Sequence, residues 1–149
     1  MNFSGSEIIP ASRAAVWNGL NSPEILQKCI PGCQSITQDS PGVYSARLLA
    51  RLGPLKTTFT GVIHVSESNP PESYRISGRG QGGLAGFASA SARIKLTALK
   101  PDETRLDYEA EAQIGGRLAT LGSRLMGSSA NSYMSKFFAT FAGLINAPP

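Results

Sequence analysis

Histidine is almost missing from this chain of 149 residues, which contains one, and cysteine and tryptophan are scarce at two and one. One imidazole and two thiols cannot close a four-ligand zinc site. Cys29 and Cys33 do not have the C-x-x-C redox spacing, and a bridge between them would close too short a loop to stabilise much. They are expected to be reduced thiols packed beside the Pro31-Gly32 turn, with a redox pair as the alternative. Charged residues are also few, 16% of the chain against 41% hydrophobic, a balance that argues against a disordered or nucleic-acid-binding protein. No apolar run reaches the roughly 18 residues that would span a bilayer. Residues 1–20 lack the basic start and continuous apolar stretch of a secretory signal, so a cytoplasmic location is expected.

Acidic residues are absent over one stretch in particular. None follows Glu111, whereas Arg117, Arg124 and Lys136 do, in a chain whose net charge is +4. A purely basic last quarter can attract an acidic protein or the anionic inner face of a membrane, and it can equally be the solvated side of a helix. Arg117 and Arg124, two helical turns apart, are the candidate docking residues.

The length suits a single domain, taken as residues 1–147. Residues 3–9 read as a first strand closed by Pro10. Ser12 is a plausible N-cap for a short helix carrying Val16, Trp17 and Leu20, and Ser22 caps a second that begins at Pro23 and stops at Pro31-Gly32. Strands follow. Tyr44, Ala46, Leu48, Ala50 and Leu52 alternate with Ser45, Arg47 and Arg51. Leu55, Thr57, Phe59, Gly61, Ile63 and Val65 alternate with Lys56, Thr58, Thr60 and His64. Tyr74-Arg75-Ile76 starts another strand, and residues 88–98 and 106–114 alternate cleanly. Period-two patterning broken by turn residues predicts an antiparallel sheet with one wet face. After Gly115-Gly116 the period changes to three and four, from Leu118 to Ile145, which predicts one amphipathic helix of about 28 residues. That helix must cover the apolar face of the sheet.

The inward face of the sheet is built from small residues: Ala46, Ala50, Gly61, Ala88, Ala90, Ala92, Ala110 and Ala112. A sheet that filled its own core would use Val, Ile and Leu there. A curved sheet and a straight helix are expected to touch at one end and enclose an apolar cavity at the other, although small residues on both sides could also pack closely. The expected cavity walls are Leu26 and Ile30 from the second helix, Tyr44, Leu48, Phe59, Ala90 and Tyr108 from the sheet, and Leu121, Leu125, Tyr133 and Phe137 from the long helix. Phe87 is expected near the entrance.

Gly78-Arg79-Gly80-Gln81-Gly82-Gly83 matches G-x-G-x-x-G, but a dinucleotide fingerprint needs a helix next and residues 88–98 alternate as a strand, so a glycine-rich bend is expected. No nucleophile–base pair or inward histidine is evident, and Asp107, Glu109 and Glu111 fall on the wet face, so no catalytic residue and no metal ligand is assigned.

Several stretches together resemble one family. They are Val16-Trp17-x-x-Leu20-Asn21-x-Pro23-Glu24-x-Leu26, Cys29-Ile30-Pro31-Gly32-Cys33, Phe59-x-Gly61, Gly86-Phe87-Ala88, Thr104-x-Leu106-x-Tyr108, Gly115-Gly116-x-Leu118-Ala119, Leu121-Gly122-x-Arg124-Leu125 and Phe137-Phe138. The chain is similar to the CoxG family of carbon monoxide dehydrogenase proteins, within the START-like (SRPBCC) helix-grip superfamily. The resemblance implies an α+β fold in which a seven-stranded curved antiparallel sheet wraps around a long C-terminal helix, with two short helices after the first strand. It implies no covalent cofactor but a bound quinone or other isoprenoid lipid. It also implies an accessory role beside a molybdenum hydroxylase of the carbon monoxide dehydrogenase type, in peripheral membrane recruitment or electron delivery. Longer relatives carry a C-terminal linker and hydrophobic anchor; this sequence ends at Pro149. Superfamily members that are cyclases or dehydratases, or an assembly factor without a ligand, are the alternatives.

Overall fold

A computed structural model describes residues 1–52 and 54–145, leaving out the side chains of Leu52 and Ser123. The elements run β1 (Asn2–Ile9), α1 (Arg13–Leu20), α2 (Pro23–Cys29), β2 (Cys33–Ser40), β3 (Val43–Leu52), β4 (Leu55–Asn69), β5 (Ser73–Gln81), β6 (Phe87–Lys100), β7 (Glu103–Gly115) and α3 (Ser123–Ile145), with short 3-10 turns at Gly83–Ala85 and Gly116–Leu121. The strands form one curved seven-stranded sheet in the order β1-β7-β6-β5-β4-β3-β2. Every neighbouring pair is antiparallel. Only the β1-to-β7 neighbour is not a sequential pairing, and α1 and α2 cross from one edge strand to the other.

The short helices form where their caps allow. Ser12 Oγ accepts from Ala15 N at 3.1 Å and Ser22 Oγ from Ile25 N at 3.3 Å, and Pro23 opens α2, where no N–H is missed. The main core lies where α1 and the end of α3 meet the lower sheet. Ile9, Val16, Leu96, Leu106 and Phe141 are almost wholly buried there, joined by Tyr74. Trp17 meets Tyr74 edge-on at 5.4 Å between centroids, and Phe137 stacks on Phe141 at 5.7 Å. Gly19 lets the two helices close: a Cβ there would stand 2.8 Å from Ile145 Cγ2 and 3.0 Å from the Phe141 ring. Thr104 is fully buried and donates from Oγ1 to the Ala11 carbonyl at 2.8 Å, tying the β1–α1 turn to β7.

Two expectations from the sequence are corrected. The long helix does not begin at Leu118. It spans 23 residues from Ser123, after a 3-10 turn and a Gly122 held at φ +84, a conformation that ends helical repetition. Arg117 therefore lies on the turn and Arg124 on α3, so the two do not share one helix face. Strand β2 also went unread, because only Ile36 of its eight residues is buried and no alternation shows.

Candidate functional site

The core does not run the length of the sheet. A second, smaller cluster, Ala50, Phe59, Ala85 and Leu118, sits at the other end under the two 3-10 turns, with Leu55, Ile114 and Leu121 packed against it. Between the clusters the inner face carries Ala46, Leu48, Gly61, Ile63, Gly78, Gly80, Ala88 and Ala90, and these line an apolar groove of about 240 Å³ that is open to one side. Ala90 is exposed although its side is the inward one. The register explains the gap. Ala46 pairs with Gly61, Gly61 with Gly80, and Gly80 with Ala88, while Gly78 pairs with Ala90 and Ala90 with Ala112. Two rows of methyl groups and hydrogens cross the sheet side by side, and nothing there is tall enough to reach α3.

The glycines differ in why they are small. A Cβ on Gly61 would stand 2.5 Å from the Arg79 carbonyl oxygen, so the close backbone approach requires glycine. At Gly78 and Gly80 the nearest atoms would be 3.6 and 3.7 Å away, ordinary contact distances, so these two leave real space.

The residues expected to wall the cavity separate into groups. Leu48, Phe59 and Ala90 line the groove. Leu121 packs in the small cluster above it. Tyr44 is buried on β3, and Leu26, Ile30 and Leu125 are half-buried on the helices and the α2–β2 turn. Tyr108 and Phe137 pack on the main core instead, Tyr108 stacking on Phe138 with centroids 6.2 Å apart and Phe137 meeting Phe138 edge-on. Tyr133 turns to the sheet edge, where its hydroxyl accepts from Arg51 N at 3.2 Å beyond the end of β2. Phe87 lies half-exposed against Gly115 rather than over the groove mouth. Ala110 is set on the row of Ala92, Ile76 and Val65, at the margin of the main core rather than in the groove. Sequence reasoning missed Gly78 and Gly80 as wall residues, since they were absorbed into a glycine-rich bend; β5 in fact continues through them to Gln81.

Titratable groups stand apart from the groove. Asp107 accepts from Ser6 Oγ at 2.7 Å and Arg105 Nε at 3.0 Å, which hold its carboxyl below the usual range. Burial pushes Tyr74 and Tyr108 upward. Cys29 is buried and Cys33 half-buried, both are free, and burial raises both thiols. Among the described residues no group of three or more His, Cys, Asp or Glu side chains is placed to hold a metal ion, and no helix is long and apolar enough to cross a membrane.

A long antiparallel sheet gripping a C-terminal helix, with space left between them, defines a START-like helix-grip protein. The same fold is shared with Zhui aromatase/cyclase from Streptomyces sp. R1128, at TM-score 0.72 and 11% identity over 97% of this chain and 93% of that one. It is shared also with a START superfamily protein from Mycobacterium smegmatis, at TM-score 0.72 and 14% identity over 97% and 96% of the two chains. A conserved protein from Geobacillus kaustophilus is far nearer, at 33% identity and TM-score 0.92 over 97% of this chain and 95% of that one. The sequence model of the carbon monoxide dehydrogenase CoxG family matches residues 5–146, and the chain belongs to that family. No curated protein matches significantly.

Proposed function

We propose that this chain is a non-catalytic binding protein that holds a quinone or another isoprenoid lipid in the groove. We propose further that it serves a molybdenum hydroxylase of the carbon monoxide dehydrogenase type, in membrane recruitment or electron delivery. The observation that carries the reading is the break in the core: two packed clusters separated by a band of Ala and Gly under a helix that does not touch it. Burying apolar surface contributes about 25 cal/mol per Å², so an open apolar band favours an apolar occupant. No described buried side-chain nitrogen or oxygen lacks a hydrogen-bond partner, so no buried polar group demands a matching polar ligand. The lining also includes no carboxylate, imidazole or thiol. A cyclase or dehydratase would need such a group within reach of its substrate.

The test is displacement of an environment-sensitive apolar dye by a short-chain quinone. The dye should brighten on binding, and the quinone should remove it competitively. A protein that never brightens the dye, or a dye that no quinone or isoprenoid lipid displaces, contradicts the proposal.

A further inference from the structure

The end of the molecule above the groove has an unusual surface. Arg47, Thr60, Gln81, Phe87 and Gly115 form one row across five segments of the sheet. Beyond that row lie the β3–β4 hairpin, the Gly83–Ala85 turn, the Gly116–Leu121 turn and the start of α3. Arg51, Lys56, Arg117 and Arg124 are all exposed there, and residues 48–59, 82–86 and 116–124 include no Asp or Glu. The acid nearest this end on the sheet is Glu111, four residues below Gly115 and paired with Ser91 and Asn2. Glu67, Glu72, Asp102 and Glu103 lie at or near the turns of the opposite end. The charges are therefore segregated along the strands.

Two details point to an outside anion. Arg51 and Lys56 pair directly across β3 and β4, an arrangement of like charges that costs stability, and no ion pair among the described residues involves either. Between the basic residues stands Leu84, 89% exposed, the most exposed large hydrophobic side chain in the described structure. It is carried on a turn between Gly83 at φ +58 and Gly86 at φ +111, and a Cβ on Gly83 would meet nothing within 4 Å. Phe87, 49% exposed, follows it. The turn is fixed at its base, where the Gly82 N–H donates to the Gly86 carbonyl at 2.9 Å and Ala85 is buried in the small cluster.

We propose that this end docks on an anionic phospholipid surface, with Leu84 and Phe87 entering the interface and Arg51, Lys56, Arg117 and Arg124 lying over the headgroups. A raised apolar residue ringed by cations suits a bilayer, which offers apolar depth and negative charge together. Docking at this end brings the groove next to the lipid phase, and in that respect the inference rests on the groove being a site for an apolar molecule.

The experiment is flotation with phosphatidylcholine vesicles, with and without about 30% phosphatidylglycerol. The protein should float with the anionic vesicles, stay behind with the neutral ones, and be released by salt. Leu84→Ser should weaken binding at least about fivefold. Combined Lys56→Glu, Arg117→Glu and Arg124→Glu should weaken it on the order of a hundredfold, at roughly fivefold for each basic residue. All four residues are exposed, and an unchanged melting temperature shows that the variants remain folded. Dye displacement without vesicles should be unaffected by Leu84→Ser, which separates the two readings. Absent flotation with intact dye binding overturns the docking proposal alone, whereas flotation without dye binding supports it and overturns the groove's ligand. Equal binding to neutral and anionic vesicles, or binding that ignores these variants, also overturns it.

Discussion

Replacing Ala90 with leucine adds three carbons to the middle of the groove. Each buried CH₂ contributes about 0.8 kcal/mol, or about 2.4 kcal/mol if all three are covered. The groove is open to one side and Ala90 is exposed, so less than half of that is expected, about 1 kcal/mol. For a domain of this size that raises the melting temperature by about 2–4 °C. The same leucine occupies the volume a ligand would use, so affinity for an apolar dye should fall at least about tenfold, equivalent to roughly 1.4 kcal/mol. Ala110 is the control. It is also an inward alanine, but its row carries Val65 and Ile76, which are packed on the main core. Ala110→Leu should therefore overpack and cost about 1–3 kcal/mol, lowering the melting temperature. Thermal denaturation of both variants, followed by circular dichroism and dye titration, decides the matter. If Ala90→Leu destabilises as much as Ala110→Leu, there is no space at Ala90 and the argument from small residues fails.

Gly19→Ala should lower stability by about 1–3 kcal/mol in urea denaturation, because its methyl group would strike Ile145 and Phe141 and push α3 off α1. Thr104→Val removes the only described side-chain bond to the Ala11 carbonyl and should cost about 1–3 kcal/mol by the same assay. The thiols of Cys29 and Cys33 are raised by burial, so less thiolate is present near neutral pH. Both should react with a disulfide reagent more slowly than free cysteine, speeding up as pH rises, and replacing both with alanine should leave a folded protein.

The alternating strands were legible because each places apolar residues on one side: residues 44–52, 55–65, 88–98 and 106–114 all fall within observed strands. The two short helices were legible from Ser12, Ser22 and Pro23, whose chemistry is local. Strand β2 was not, because an edge strand with Ile36 as its only buried residue has no second apolar position to set a period. Leu118 and Leu121 have helical spacing from Leu125 yet belong to a 3-10 turn, since Gly122 leaves the helical conformation between them. The face of each inward residue was readable, but its depth along the sheet was not. Tyr108 and Phe137 point inward as expected, yet pack on the main core, while Ala90 faces open space. Depth is set by strand register, which only pairing across the sheet reveals.

The central claim is that the groove holds a lipophilic molecule. Native mass spectrometry of the protein isolated from the cells that make it tests this most directly. A non-covalent adduct is predicted, lost on extraction with organic solvent, identified in the extract as a quinone or other isoprenoid lipid, and missing from Ala90→Leu prepared in the same way. A bare-chain mass from the unaltered protein, with no apolar molecule in its extract, would contradict the claim.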